Sequence, residues 1–224
     1  MIFYAGDCHG RLDAIKKINQ EALDAGVTTV IQVGDFGVHF EKDCEVARWF
    51  NDRESGPNWL TCGGNHDNWD VWLNKPKVYF FGTEVHMLAV GCFYVPRGEV
   101  LQLFGKRFLF FGGAESIDRH RRVEGKDWWS RETPNAAEFY EFYDSMEVDK
   151  PDIVITHDAP TRVPVRKHLR DAAPTPQGLE QVMRMSDHKP DRWYFGHHHK
   201  MEEWEIEGTK FYCCGLHGDY HRHY

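Results

Sequence analysis

Three things are scarce in this sequence, and each scarcity excludes a class of protein. No apolar run approaches the ~20 residues that a helix needs to cross a bilayer, so no helical membrane span is expected. The six cysteines, Cys8, Cys44, Cys62, Cys92, Cys213 and Cys214, include no C-x-x-C pair, which argues against a zinc ribbon or a thioredoxin-type motif. Positive charge is in the minority: 27 Lys and Arg face 35 Asp and Glu, for a formal net charge of -8. Long duplex DNA and anionic membranes are polyanions, so neither is an expected partner. The opening Met1-Ile2-Phe3-Tyr4-Ala5-Gly6-Asp7 has no charged stretch followed by an apolar one, so no signal peptide is expected. Thiols without a pairing pattern then suit a reduced, cytoplasmic compartment. Internal repeats and breaks in composition are missing too, and residues 1–224 read as one domain.

What is present is a set of five short polar clusters. They are Gly6-Asp7-Cys8-His9-Gly10, Gly34-Asp35, Gly63-Gly64-Asn65-His66-Asp67, His157-Asp158 and Gly196-His197-His198-His199, and they hold six of the fourteen histidines. Each follows a run of apolar or β-forming residues. Strands are expected at Ile2–Ala5, Thr28–Val33, Trp59–Cys62, Ile153–Thr156, Arg192–Phe195, Glu202–Ile206 and Lys210–Cys213. Helices are expected at Arg11–Ala25, Glu41–Asp52, Pro134–Met146 and Gln177–Met185. In the first of these, Leu12, Ile15, Ile18, Ala22 and Leu23 form an apolar stripe at helical spacing. The alternation predicts an α/β fold. Between Val78 and Phe111, short β-rich segments separated by Gly82, Gly91, Gly98 and Gly105 have hairpin spacing, which predicts a second, antiparallel region.

Strands that all end in Asp, His or Asn deliver those side chains to one edge of a sheet, and such an edge is a metal site in waiting. Oxygen and nitrogen donors without clustered thiols suit two Mn, Fe, Zn or Ni ions, with Mn the first choice. Two divalent cations ~3.5–4 Å apart are the usual answer to the slow hydrolysis of a phosphate ester. Asp7 and His9 flank one residue and suit joint chelation, and Asp35, alone at its strand end, suits a bridge. Asn65 offers a neutral carbonyl oxygen, and His157, His197 and His199 complete two shells. His66 directly follows Asn65, so it is better placed to contact a phosphate oxygen or to protonate a leaving alcohol. Asp67 or Asp158 is suited to orient a neighbouring imidazole.

The ordered set Asp7-x-His9, Gly34-Asp35, Gly64-Asn65-His66-Asp67, His157 and Gly196-His197-x-His199 resembles the calcineurin-like metallophosphoesterases, over almost the whole chain. The resemblance implies two packed mixed β-sheets flanked by helices, with the site at the sheet edge. It implies that Asp7, His9, Asp35 and His199 hold one ion, and that Asp35, Asn65, His157 and His197 hold the other. His66 becomes the acid or transition-state contact, and Asp35 and Asp67 join it as catalytic residues. Protein Ser/Thr phosphatases of this superfamily carry Gly-Asp-x-Val-Asp-Arg-Gly, whereas this chain has Gly34-Asp35-Phe36-Gly37-Val38-His39, which counts against a phosphoprotein substrate. RNA lariat debranching enzymes are locally similar. Their Gly-Cys-Cys-His-Gly aligns with Gly6-Asp7-Cys8-His9-Gly10, and Gly112-Gly113-x-x-Ser116 and Thr156-His157-Asp158-x-Pro160 have counterparts too. Asp7 stands where those enzymes use Cys, so the lariat substrate does not transfer.

The expected activity is therefore metal-dependent hydrolysis of a phosphodiester, on a nucleotide or a short nucleic acid such as RNA. A phosphomonoesterase is the alternative, as is a non-catalytic interaction module like the retromer subunit that has this fold with a degenerate site. Arg119, Arg121 and Arg122 form a basic cluster read as substrate-binding. Arg162, Arg166, Lys167 and Arg170 are either a second wall of the cleft or an ordinary helix surface. Trp128 and Trp129 either stack on a base or cap the core. His198 is expected to face solvent, Cys8 to fill space beneath its loop, and Cys213 and Cys214 to divide between buried and half-exposed. His217, His221 and His223 read as a dangling tail.

Overall fold

The apolar strands of this chain alternate between two cores. The computed structural model describes residues 1–37, 40, 44–165 and 173–223. The chain runs β1 (Ile2–Ala5), α1 (Leu12–Asp24), β2 (Thr29–Gln32), α2 (Glu45–Asp52), β3 (Asn58–Thr61), α3 (Trp69–Leu73), β4 (Lys77–Phe80), β5 (Thr83–Ala89) and β6 (Cys92–Tyr94). It continues through β7 (Val100–Leu103), β8 (Lys106–Phe111), α4 (Ala136–Val148), β9 (Ile153–Thr156), α5 (Pro174–Met185), β10 (Arg192–Phe195), β11 (Glu202–Ile206), β12 (Thr209–Cys213) and β13 (Tyr220–His223). In β1, Phe3 and Ala5 face α1 and α2, while Ile2 and Tyr4 face the second sheet. The same alternation separates Trp193 and Phe195 from Tyr194 in β10. Period-two alternation with both sets apolar means that both faces of each sheet are covered.

The strands form two mixed sheets, ordered β13-β1-β2-β3-β6-β5-β4 and β11-β12-β10-β9-β8-β7. One core lies between α1, α2, α3 and the first sheet, a second between the sheets, and a third between the second sheet and α4 with α5. The result is a four-layer α/β/β/α sandwich, as the resemblance implied. Register keeps the layers aligned: Phe3, Val30 and Trp59 are neighbours on one face, Tyr4, Ile31 and Leu60 on the other. Helix α4 starts at Asn135, whose side chain caps the amides of Ala137 and Glu138 in a capping box, a feature worth about 1 kcal/mol.

Some expectations change. The hairpins between Lys77 and Phe111 form no region of their own; β4 and β5 extend the first sheet and β7 the second, each antiparallel at an edge. A hairpin's alternation reads the same whether it stands alone or joins an edge. Leu23 is 38% exposed and falls outside the α1 stripe. The start of the second helix at Glu41 lies outside the described residues. Cys213 and Cys214 are both buried, in different cores, because the second sheet is covered on both faces. Histidines 221 and 223 do not dangle: β13 pairs antiparallel with β1, His221 Nε2 meets the Cys213 carbonyl at 3.0 Å, and His223 Nδ1 meets the Tyr194 hydroxyl at 2.7 Å. Among the described residues no helix is long and apolar enough to cross a membrane.

Candidate metal centre

The parallel strands β1, β2, β3, β9 and β10 all end at one edge of the sandwich, and the five polar clusters are the turns that follow them. These turns are tight. His9, Asp35, His197 and His199 have φ of 45, 52, 64 and 54°, a left-handed conformation uncommon outside glycine. Strain of this kind persists only where surrounding contacts hold it. The amides of Cys8 and His9 both donate to the Asp35 carbonyl at 3.0 Å, and the His197 amide donates to both Asp7 oxygens at 3.1 Å. The glycines are packing necessities. A Cβ at Gly64 would meet the Asp35 backbone and His157 Nε2, and one at Gly196 would collide with Asp7 Oδ1.

All seven residues expected as ligands gather here. Asp7, His9 and His199 form one group and Asp35, His157 and His197 another, while His9, Asp35 and His66 overlap both; within each group the donor atoms lie within 4.8 Å of one another. His199 Nε2 is 3.1 Å from Asp7 Oδ2 and 3.1 Å from His9 Nε2. His9 Nε2 is 3.9 Å from both Asp7 Oδ2 and Asp35 Oδ2. His157 Nε2 is 3.3 Å from Asp35 Oδ1 and 3.2 Å from Asn65 Oδ1.

The outer contacts fix where the lone pairs point. His157 Nδ1 lies 2.8 Å from the Val33 carbonyl, which can only accept, so in the neutral ring Nδ1 carries the proton and Nε2 a lone pair. Asn65 donates its amide nitrogen to Ser116 Oγ at 3.3 Å, which turns its carbonyl oxygen inward. Ser116 is held in turn by Glu132, which accepts from the Ser116 amide at 2.6 Å and from its hydroxyl at 2.9 Å. Lone pairs of nitrogen and oxygen thus converge with few protons between them, which suits hard or borderline divalent cations.

Without such cations the charges settle among the side chains themselves. Burial pushes Asp7 up to about 6, against the pull of His199 and His157. Burial pushes His9 down to about 4 and His197 down to about 3. Burial also works against the charge on His157, but Asp35, Asp7 and the Val33 carbonyl outweigh it and raise that ring to about 10. Asp35 is buried as well, yet His157, His66 and His197 hold its carboxyl well below the usual range. The site's central pair is then His157 imidazolium against Asp35 carboxylate.

His66 stands beside this centre. Its amide donates to Asp35 Oδ1 at 2.8 Å, and its ring packs edge-on to His9 with centroids 5.2 Å apart. Arg122 NH1 is 3.3 Å from His66 Nδ1. A guanidinium only donates, so Nδ1 accepts and the proton of the neutral ring sits on Nε2. Burial, with Arg122 assisting, lowers the His66 pKa and favours that neutral form. Arg122 is half-buried and lines a cavity of about 330 Å³ together with Asp35, Asn65, His66, His197 and His199. Arg119 and Arg121 sit in a 3-10 turn, are exposed and are not part of that lining.

Asp67 is fully buried and accepts from the amides of Gly37 and Gly64 at 2.7 Å each, so it ties two loops together where an imidazole partner was expected. Burial and the nearby Asp35 charge raise it to about 7. Asp158 does hold an imidazole, that of His198, at 2.9 Å. His198 is therefore buried, 4% exposed, rather than facing solvent. Arg162 is bound to Glu180 and Glu207; Arg166, Lys167 and Arg170 lie outside the described residues. Trp129 caps the helix-side core, and Cys8 fills space in that core. The sequence gives no sign of Glu132, places His217 in a dangling tail, and shows Ser116 only as part of a motif. The His217 amide donates to the Asp7 carbonyl at 2.9 Å and its ring lies 5.9 Å from that of His9.

Comparison with the curated proteins finds no match. Among solved structures the chain is similar to TT1561 of Thermus thermophilus, with 12% identity, 97% of this chain and 89% of that one covered, and a TM-score of 0.55. It is also similar to GAP50, the anchor in the inner membrane complex of Plasmodium, with 16% identity, 96% and 70% covered, and a TM-score of 0.57. Identities this low speak for the fold alone. The profile of the calcineurin-like phosphoesterases matches residues 2–201, a span that takes in all seven converging side chains, and the chain belongs to that family.

Proposed function

We propose that this protein is a phosphodiesterase that works with two divalent cations, Mn in the first place, on a nucleotide or a short nucleic acid. The observation that carries the reading is the convergence of Asp7, His9, Asp35, Asn65, His157, His197 and His199 on adjoining groups of lone pairs. Asp7, His9, Asp35 and His199 would hold one cation; Asp35, Asn65, His157 and His197 would hold the other. When bound, such a pair acidifies a water and neutralises charge on the phosphoryl oxygens.

The chain's own residues do the rest. Asp35 lies between the two groups and is suited to bridge them. His66 keeps its hydrogen on Nε2 through the Arg122 contact and is suited to donate a hydrogen bond from there to the departing or a non-bridging oxygen. Arg122, in the cavity wall, pairs with a non-bridging phosphoryl oxygen. The cavity has room beyond a phosphoryl group, which favours a diester with an organic arm over a bare monoester.

The test is hydrolysis of bis(p-nitrophenyl) phosphate by protein loaded with Mn, Fe, Zn or Ni. Asp35→Asn and His66→Ala are each expected to lower kcat by a factor of about 100 or more, with circular dichroism showing that both remain folded. Full activity in both variants would overturn the assignment. A preference for p-nitrophenyl phosphate over the diester would select the monoesterase alternative instead.

A further inference from the structure

The loop that walls the cavity beside the metal centre carries more positive charge than the cavity uses. Ile117, Asp118 and Arg122 line that cavity. The turn between them, Arg119 to Arg121, therefore forms part of its rim, and all three of its residues are exposed. The acids of the same loop are engaged. Asp118 Oδ1 meets Arg122 Nε at 2.8 Å, Asp127 Oδ1 accepts from the Val123 amide at 2.6 Å, and Glu124 Oε1 accepts from the Ser130 amide at 3.4 Å. The guanidiniums of Arg119 and Arg121 have no ion pair or hydrogen bond among the described residues. Other exposed arginines are matched: Arg11 by Asp13, Arg184 by Glu180 and Arg222 by Glu21. A chain with a net charge of -8 has acids to spare, yet it leaves two neighbouring arginines unmatched at the mouth of its site.

We propose that Arg119 and Arg121 form an outer subsite that binds the next phosphate of a nucleic-acid strand whose scissile phosphodiester lies at the metal centre. The proposal rests on the phosphodiesterase reading above and narrows its substrate to a short single-stranded oligonucleotide, in preference to a free mononucleotide. A second phosphate inside the cavity would have Glu115, Asp118 and Asp158 as neighbours, and Arg122 and His198 there are already bound to carboxylates. At the rim it meets two unmatched guanidiniums, whose forked donors fit phosphate oxygens. From Arg119 to Arg122 such a turn rises only about 6 Å, so a phosphate held at the rim belongs to a neighbouring nucleotide and not to a distant one. A cavity of about 330 Å³ admits one strand and excludes a duplex. The acidic surface beyond the rim disfavours a long polyanion.

The experiment follows p-nitrophenolate release from p-nitrophenyl thymidine 5′-phosphate and from the same ester extended at its 3′ end by one, two or three thymidylates. The scissile bond is the same throughout, and only the phosphates beyond it change. For the wild-type protein kcat/KM is expected to rise by about tenfold on the first or second extension. Its logarithm should also fall more steeply with log[salt], by roughly 0.7 for each phosphate contacted. With Arg119→Gln and Arg121→Gln combined, the gain should fall to within about twofold of one and the extra salt slope should vanish. Arg119→Lys with Arg121→Lys should keep the slope. Each gain is a ratio within one preparation, so partial misfolding leaves it unchanged. A second readout is the fluorescence anisotropy of a labelled thymidine tetranucleotide titrated with the Mn-loaded His66→Ala variant, where adding the glutamine pair should raise Kd by the same factor. No gain on extension in the wild type, a gain that survives the glutamine pair, or tighter binding to phosphatidylserine vesicles than to the tetranucleotide would overturn the proposal. Failure to release p-nitrophenolate from any of the esters counts against the phosphodiesterase reading, and the anisotropy ratio then still decides the role of the two arginines.

Discussion

Asn65 can serve as a metal ligand only through its oxygen, and an amide is nearly symmetric in shape. Something must tell its two ends apart. Ser116 does so: its hydroxyl donates to Glu132, which leaves a lone pair to accept from the Asn65 nitrogen. Glu132 is only 1% exposed, and burial raises its pKa to about 7. Its backbone carbonyl accepts from Arg97, which also stacks over Trp69 at 4.2 Å. The inward aim of that oxygen thus rests on the side chains of Ser116 and Glu132, with Arg97 holding the Glu132 backbone. Ser116→Ala breaks it and lets the amide turn. Mn affinity, measured by competition with a chelator, is expected to fall by roughly tenfold. An unchanged affinity would mean that Ser116 does not orient Asn65. The converging side chains were legible in the sequence because each cluster that holds them directly follows an apolar strand. Glu132 was not, because it meets Ser116 from 16 residues away and Asn65 only through it.

At the scale of elements, legibility followed burial. Strands β1, β2, β9 and β10 are apolar on both faces and announce themselves as short hydrophobic runs. Helix α3 has five residues and β6 three, too few for any period to show. Strand β13 was hidden for another reason. Tyr220-His221-Arg222-His223 is polar and aromatic and reads as surface, yet Tyr220 stacks on Phe3 at 4.5 Å and Arg222 lies over the same ring at 5.0 Å. The segment leading into β13 also laces the first ligand turn: Gly6 donates to the Asp219 carbonyl at 3.2 Å and Asp7 to that of Gly215 at 3.1 Å. Deleting residues 216–224 removes four strand pairs, the aromatic contact and part of that lacing. Thermal unfolding is expected at a temperature lower by roughly 5 °C or more, since a loss of ~2–3 kcal/mol shifts Tm by that much in a chain of this size. Mn affinity should fall with it. A tail without structural work would leave both readings unchanged.

For the whole molecule, the metal centre links stability to pH. His157 has a folded pKa of about 10, above its ordinary 6.5. The folded state therefore holds a proton that the unfolded state releases. That contribution is fully present below about 6.5 and is lost as pH rises through about 10. Asp67, raised to about 7, acts in the same direction at lower pH, losing its share between about 4 and 7. His9 and His197 act oppositely: their lowered values make folding more favourable as pH rises toward 6.5. Below pH 6.5 these slopes oppose one another; above it the His157 loss is joined by the last of the Asp67 and Glu132 losses up to about pH 7 and, at higher pH, by those of the buried thiols Cys8, Cys92 and Cys213, all in the same direction. Metal-free protein should thus lose thermal stability steadily from about pH 6.5 to pH 9 in EDTA. On the proposed assignment, divalent cations would compete with the His157 proton for the same Nε2 lone pair, so their hold would strengthen as that proton leaves. Saturating Mn should raise Tm more at pH 8.5 than at pH 6; at either pH, a concentration 100 times Kd adds about 2.7 kcal/mol of stability. Differential scanning fluorimetry across that range checks both curves, and a Tm gain that shrinks with rising pH would separate the cations from the His157–Asp35 pair.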